Sequence, residues 1–151
     1  MTEFTKSKRM MHHSGQCVCG TISFSTRTEP LRITICHCAW CQRRTGSAFG
    51  VEVVFNENDI VFAGDTPQIY RHVSDESARW LDSRFCPKCG ANLGFTLEAV
   101  PGIQTLPAGA FDGSGQFTAK NYQTRHVYIR SRRDWADLSS DVEVFEAHFR
   151  S

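Results

Sequence analysis

The seven cysteines are the residues of this 151-residue chain whose type and spacing point most directly to chemistry. They fall into three short groups, with the sequences CVCG (17–20), CHCAWC (36–41) and CPKCG (86–90). An odd number of thiols cannot pair completely into disulfides, and clustered thiols in a reducing compartment more often bind metal or do chemistry. We therefore interpret the three groups as ligands for soft metal ions.

The third group is the strongest local signal for a metal. Cys86 and Cys89 are separated by two residues on a tight turn, and Gly90 lets the backbone curl so that amide N–H groups point at the thiolates. Such a turn supplies half of a tetrahedral site, and either of the other two groups can supply the rest. The simplest partition that uses every thiol is four plus three. It predicts a closed site on Cys17, Cys19, Cys86 and Cys89, and an open site on Cys36, Cys38 and Cys41.

The two predicted sites differ in what they can do. Four sulfurs saturate a zinc ion, whereas three protein ligands with one exchangeable position are the pattern of a catalytic zinc. Zinc on three thiolates is a weak Lewis acid that still binds a fourth soft ligand, and a visiting thiol would lose its proton there. The thiolate would then lie where an aldehyde carbonyl can approach it. An iron–sulfur cluster is the alternative for the open site, disfavoured because no fourth cysteine remains.

The residues after the third thiol of the open site predict its substrate contacts. Arg43 and Arg44 supply positive charge beside an anionic centre, and guanidinium groups pair well with carboxylates; we expect one of the two to lie in the site. Ser47 belongs to a turn that either offers hydrogen-bond donors to substrate or simply connects two elements. His37 would face away from its neighbouring thiols in an extended strand, which favours packing or hydrogen bonding over metal ligation. His126 is the other histidine that we expect near a site.

These residues must be positioned by a fold made mostly of short strands. Runs rich in β-branched and aromatic residues alternate with Gly, Pro, Asn and Asp. Helical signals are weak, with one turn after Cys38 and another starting near Ser131 that carries Trp135 and Leu138. The sequence therefore predicts a mostly antiparallel β domain with few short helices, whose thin core a metal would staple. The predicted strands are 21–25, 31–36, 49–55, 60–62, 69–73, 79–85, 93–97, 104–108 and 127–130.

Composition limits the classes of partner. A net charge of +1 argues against broad electrostatic capture of nucleic acid or of an anionic membrane. No apolar run approaches the length of a membrane span, and the polar, basic residues 1–14 do not resemble a secretory signal. We expect a cytoplasmic protein with a flexible arm over 1–14, one zinc domain over 15–138 and a C-terminal extension over 139–151.

Beyond spacing alone, the sequence resembles the glutathione-dependent formaldehyde-activating enzyme family, which includes centromere protein V. Six segments carry the resemblance, and together with Trp135 they cover 15–135: GQCVCG (15–20), CHCAWCQR (36–43), TGSAF (45–49), RFCPKCG (84–90), PAGAFD (107–112) and HVYIR (126–130). Gln42 departs from the commonest pattern, in which an arginine often follows the third cysteine.

The resemblance implies a tent-like arrangement of β-sheets that holds two zinc ions per chain. It implies a structural zinc on the four-cysteine set and a catalytic zinc on the three-cysteine set, the same partition that counting gives. The implied activity is that of a carbon–sulfur lyase, which joins formaldehyde and glutathione as S-hydroxymethylglutathione or cleaves that adduct. A non-catalytic zinc module that binds another macromolecule, and a zinc or redox sensor, are the alternatives. The enzyme is preferred to the interaction module because the chain lacks a long basic or proline-rich extension.

Overall fold

The computed structural model describes residues 11–113, 115–139 and 141–148. Strands dominate this part of the chain, with one α-helix, α1 (Ala39–Thr45), and three single-turn 3-10 helices at Glu57–Asp59, Ala108–Ala110 and Ile129–Ser131. The predicted mostly β fold with few short helices is confirmed. The strands are β1 (His13–Gln16), β2 (Ile22–Thr26), β3 (Arg32–Cys36), β4 (Gly50–Asn56), β5 (Ile60–Gly64), β6 (Gln68–Val73), β7 (Trp80–Phe85), β8 (Asn92–Leu97), β9 (Val100–Pro107), β10 (Thr124–Val127) and β11 (Glu143–Val144).

The strands form two sheets of unequal size. The smaller sheet has three antiparallel strands in the order β1-β2-β5, and the larger has eight in the order β11-β10-β3-β4-β9-β8-β7-β6. Most neighbours in the larger sheet are antiparallel, but β10 runs parallel to both β3 and β11. An antiparallel bridge between Gly15 and Phe111 joins β1 to the segment that follows β9.

The burial of each strand follows its sequence pattern. β2 alternates strictly, with Ile22, Phe24 and Thr26 buried and the serines between them half-buried. β4 and β8 lie inside the larger sheet and are buried over four consecutive residues each, which suits their nearly continuous apolar runs. β6 is one of the two edge strands of the larger sheet and is exposed at five of its six positions.

The larger of two hydrophobic clusters in the described part of the chain lies between the sheets and includes thiols. Its buried members include Phe24 of β2, Phe55 of β4 and Leu93 of β8, with Cys17 and Cys86 in the same cluster. Two thiols from distant parts of the chain are therefore held in place by the apolar packing itself.

Two strands lie partly or wholly within segments that the sequence assigns outside the zinc domain. β1 begins at His13, inside the segment predicted as an arm over 1–14, while residues 1–10 lie outside the described part. β11 pairs with β10 from within the predicted extension over 139–151. The second predicted helix is wrong: the 3-10 turn ends at Ser131, and Trp135 beyond it is 70% exposed. Short strands that gain their pairing from distant segments leave little local signal.

In residues 11–113, 115–139 and 141–148, no helix has the length and apolar character needed to cross a bilayer.

The hairpin of β8 and β9 offers a matched pair of glycines for a stability test. Gly94 and Gly102 both have a positive φ, 89° and 80°. A Cβ at Gly94 would lie 1.8 Å from the carbonyl oxygen of Thr105, whereas a Cβ at Gly102 would meet nothing within 4 Å. We expect Gly102→Ala to cost about 1–2 kcal/mol for the left-handed backbone. Gly94→Ala should cost at least about 2 kcal/mol more because β9 must move.

Urea unfolding of the two zinc-loaded variants measures this difference. Equal losses of unfolding free energy in Gly94→Ala and Gly102→Ala would show that the close approach of β8 to β9 does not constrain the fold.

Candidate metal centres

The first cluster joins two turns that are far apart in sequence. Its four sulfurs, from Cys17, Cys19, Cys86 and Cys89, lie within 4.8 Å of one another. The Sγ atom of Cys19 lies 3.7 Å from that of Cys17 and 3.7 Å from that of Cys86. A tetrahedral zinc with bonds of about 2.3 Å places its sulfurs about 3.8 Å apart. The cluster therefore has the dimensions of a four-sulfur zinc site.

Both turns present backbone donors to the sulfurs. The amide of Gly90 bonds to the carbonyl of Cys86 at 2.8 Å, and Gly90 has a φ of 74°, which closes the turn. The amides of Cys89 and Lys88 then act on Cys86 and help to lower the pKa of its thiol to about 6, the amide of Cys89 being the largest cause. This is the arrangement that the CPKCG sequence predicts.

Residues that follow the first turn complete the surroundings of this cluster. The amide of Ile22 donates to the Sγ of Cys17 at 3.4 Å. The hydroxyl of Thr21 lies 3.2 Å from the Sγ of Cys19 and 3.5 Å from that of Cys86, so it spans the two turns.

The second cluster is local in sequence. Cys36 ends β3, Cys38 is the N-cap of α1 and Cys41 lies within α1, so three sulfurs meet within 4.8 Å where a strand becomes a helix. The amide of Cys41 donates to the Sγ of Cys38 at 3.3 Å, a capping contact in which sulfur replaces the usual oxygen. Cys36 and Cys41 are buried, and Cys38 is partly exposed.

Without a bound cation, charge repulsion limits how many thiols of the second cluster can ionise. Hydrogen bonds from Cys36 and Cys41 lower the pKa of Cys38 to about 3. Bonding with Cys38 and Cys41 raises the pKa of Cys36 well above its usual value. For Cys41, contact with Cys36 lowers the pKa, but contact with Cys38 and burial outweigh it and bring it to about 12. One thiol ionises readily and two resist, so three thiolates here require a bound cation. The donor set fits a soft divalent metal such as zinc.

Three sulfurs, not four, make up this second group. Among residues 11–113, 115–139 and 141–148, no further histidine, cysteine or carboxylate places a ligand atom in the group. His37, which lies between two of the thiols, is fully buried and turns its Nε2 to the Nδ1 of His126 at 2.8 Å. Burial lowers the pKa of both rings, which favours a neutral pair. The predicted packing and hydrogen-bonding role of His37 is confirmed.

Arg44 and Arg43 leave α1 in different directions. The guanidinium of Arg44 is buried, forms an ion pair with Glu52 and lies 3.9 Å from the Sγ of Cys41 through Nη2. Burial lowers the pKa of Arg44, but the charges of Glu52 and Cys41 outweigh burial and raise it. Arg43 is exposed. Of the two predicted substrate contacts, only Arg44 lies against the cluster, and Arg43 faces elsewhere.

Arg43 and Ser47 line a surface pocket of about 350 Å³ together with Arg133. Gln42 also lines it, and its Nε2 donates to the carbonyls of His37 and Ser131 at 2.8 and 3.0 Å. The residue that departs from the commonest family pattern thus ties α1 to the segment after β10. The Thr45 hydroxyl is used within the chain, since it bonds to the Cys41 carbonyl and accepts the amide of Ser47.

Aromatic side chains surround the second cluster. Trp40 and Tyr128 pack against its cysteines, and Trp40 stacks on His72 with ring centroids 5.9 Å apart. Tyr128 has a φ of 58°, an uncommon backbone for a residue of its size.

Sequence analysis missed Glu52, Arg133 and Tyr128. A signal for Glu52 was present: it is the charged residue of the apolar run VEVVF in β4, and a carboxylate in such a strand needs a buried partner. Arg133 belongs to the basic run RSRR (130–133), which the sequence cannot distinguish from solvated surface. The place of Tyr128 depends on how the segment after β10 folds back.

Comparison with known proteins identifies the family. The sequence profile described as "Glutathione-dependent formaldehyde-activating enzyme" matches residues 12–131. A crystal structure of a Rhodobacter sphaeroides protein superposes with a TM-score of 0.55 at 17% identity over 68% of this chain and 91% of that one, which supports the fold alone. A search of curated proteins finds no match. A match across most of the chain, including all seven cysteines, shows that this protein belongs to the glutathione-dependent formaldehyde-activating enzyme family.

Proposed function

We propose that the protein is a zinc-dependent enzyme of the carbon–sulfur lyase class. It acts on the adduct of formaldehyde with a glutathione-like thiol, S-hydroxymethylglutathione, in the direction of formation or cleavage. The single observation that supports this most is the difference between the clusters: one has four sulfurs and the other has three with no fourth ligating side chain among the described residues. A closed site suits structure, and a site one ligand short suits exchange.

The reaction needs no oxidant or reductant. In the forward direction the thiol sulfur forms a bond to the formaldehyde carbon, the carbonyl π pair moves to oxygen, and that oxygen takes up the proton lost by the thiol. Zinc held by Cys36, Cys38 and Cys41 would supply a positive centre that favours the thiolate form of the incoming or departing thiol. The protein itself would hold the three sulfurs on one side of the zinc, and Trp40 and Tyr128, which pack against the cysteines, would exclude water.

The substrate carboxylates need cationic partners, and the surface pocket supplies them. Arg43 and Arg133 line it from different segments, and neither guanidinium has an acidic partner among the described residues. Ser47 adds a hydroxyl on the same wall. Two unneutralised guanidinium groups on one pocket favour an anionic ligand, and each can hold a carboxylate by two parallel bonds.

The thiols also suggest where the protein works. All seven are free in the structure, and free thiols persist in a reducing compartment. We propose the cytoplasm, where glutathione and metal-bound thiolates coexist.

Removal of one ligand from each cluster should separate their roles. Cys89→Ser should cost about 4 kcal/mol or more of folding free energy, because the metal there ties together distant segments and its binding energy is folding energy. The melting temperature should fall by about 10 °C or more. Cys38→Ser should remove the second zinc and abolish activity while the melting temperature stays within about 3 °C of wild type.

Zinc content per chain and thermal unfolding by circular dichroism provide the measurements. If Cys38→Ser unfolded as readily as Cys89→Ser, the second cluster would be structural too. Wild-type protein with one zinc per chain would favour a non-catalytic module.

Thiol binding at the open position can be read directly from zinc X-ray absorption. Glutathione should raise the mean coordination from about 3.5 to about 4 sulfurs per zinc. S-methylglutathione keeps both carboxylates but lacks the free thiol, so it should leave the sulfur count unchanged. A sulfur count that glutathione does not raise would contradict the proposed chemistry.

The carboxylate pocket predicts a selective loss of affinity. Arg43→Ala and Arg133→Ala should each weaken glutathione binding about fivefold, equivalent to about 1 kcal/mol for a partly exposed ion pair. Binding of 2-mercaptoethanol, which has no carboxylate, should not change. Arg79→Ala removes the same charge from an exposed position outside the pocket and serves as the control. Equal weakening of both thiols in Arg43→Ala would place the effect on the metal site instead.

A further inference from the structure

A buried ion pair lies directly behind the three-cysteine cluster. The side chains of Arg44 and Glu52 are only 6% and 2% exposed, and they form an ion pair between α1 and β4. Burial of two charges is expensive, and apolar residues of similar volume often serve stability equally well. This pair therefore requires a reason beyond stability.

The contacts of Arg44 suggest that reason. Its Nη2 atom reaches both the carboxylate of Glu52 and the Sγ of Cys41, the latter at 3.9 Å. The guanidinium carbon also lies 5.1 Å from the ring centroid of Trp40 and 4.8 Å from that of Phe95, within the range of cation–π attraction. A carboxylate, a sulfur and two rings thus surround one cation.

The backbone at Gly50 lies in close contact with the ion pair. A Cβ at Gly50 would lie 2.8 Å from Glu52 Oε1, 2.9 Å from Arg44 Nη2 and 3.7 Å from the Cβ of Cys41. The missing side chain at Gly50 is what lets the carboxylate, the guanidinium and the cysteine meet.

The ion pair is also incompletely satisfied. The Nε and Nη1 atoms of Arg44 and the Oε2 atom of Glu52 are buried without a hydrogen-bond partner. The bonds that Arg44 does make are directed at Glu52 and Cys41, which is the arrangement of a group that orients a ligand sulfur.

We propose that Arg44 is a positioning residue for the three-cysteine cluster: held by Glu52, it donates to the Sγ of Cys41 and keeps that sulfur in place as a metal ligand. This inference rests on the proposed metal site and deepens it. A hydrogen bond to a thiolate ligand holds its position and spreads its charge, as outer partners do in other metal sites. The role is distinct from substrate binding, because the guanidinium is committed inside the core.

The three sulfurs of the cluster can therefore be ranked by how open each is to solvent. Cys41 is 2% exposed and bonded to Arg44, Cys36 is 8% exposed, and Cys38 is the most open of the three. The exchangeable side of the cluster is then the side of Cys38, and Arg43 is the arginine left to meet a substrate carboxylate.

Cobalt(II) titration of a double variant tests the proposal. Arg44→Met with Glu52→Leu removes both charges, so neither is left buried without its partner. Cobalt affinity of the three-cysteine cluster should fall 10- to 100-fold, and its sulfur-to-cobalt absorption band should shift. The four-cysteine cluster should keep its affinity within about twofold, because Arg44 does not contact it.

A matched control exists on the surface of the same sheet. Arg71 forms an ion pair with Asp82 at 2.8 Å and lies 4.4 Å from the ring of Trp80, which reproduces the chemistry of the buried group without a cysteine. Arg71→Met with Asp82→Leu should leave both cobalt affinities and both absorption bands unchanged.

Each outcome decides the question. Selective loss at the three-cysteine cluster supports the role, whereas wild-type binding, or an equal loss at both clusters, overturns it. Should the double variant not fold, Arg44→Lys keeps a charge for Glu52 but loses the forked geometry; a 3- to 10-fold loss of cobalt affinity supports the proposal, and wild-type affinity overturns it. No glutathione is present in these titrations, so a wild-type protein that fails to bind glutathione would refute the proposed function and leave this result intact.

Discussion

Repulsion between crowded thiolates is the constraint on which much of this molecule depends. Sulfurs within 4.8 Å of one another cannot all ionise in a protein interior unless a cation lies among them. Two unit charges about 4 Å apart interact by about 4 kcal/mol at the effective dielectric typical of proteins. The fold surrounds the sulfurs with donors that favour the ionised state, from the amide of Ile22 at the first cluster to the guanidinium of Arg44 at the second. The surroundings of both clusters would thus favour a bound metal ion.

The two clusters differ in the length of chain that separates their cysteines, so a bound metal would affect the fold differently at each. The first brings Cys19 next to Cys86, 67 residues apart, and so joins the turn after β1 to the turn after β7. Those strands belong to different sheets, so a metal there would hold the two sheets together. The second cluster needs only the junction of β3 and α1. A ligand lost there would free little chain, so the ligand exchange that we propose for this site would leave the fold intact.

How much of this could be predicted from the sequence depends on the range of each signal. The cysteine grouping and most strands follow from short patterns, and β2 to β8 begin and end within one or two residues of prediction. The sequence did not predict β1, β11 or the parallel placement of β10, because these features arise from pairing with distant segments. The sequence predicts that one of Arg43 and Arg44 lies in the site, but it cannot say which of them lies against the cysteines. That choice depends on Glu52, whose position opposite α1 is a property of the sheet.

The geometry of α1 explains how seven residues serve three purposes. Successive residues on a helix are rotated by about 100°, so neighbours in sequence face different surroundings. Cys41 faces the sulfurs, Arg44 the core beside Glu52, and Arg43 the surface pocket with Arg133. So short a helix is marginal by itself, and its stability comes from tertiary contacts. Its start is tied to the cluster by the capping sulfur of Cys38, and its end is closed by Gly46 at a φ of 68°. A metal bound by Cys38 and Cys41 would therefore hold the first turn of the same helix that carries Arg43, the carboxylate partner that we propose, so that loss of the metal would also disturb the placement of this arginine.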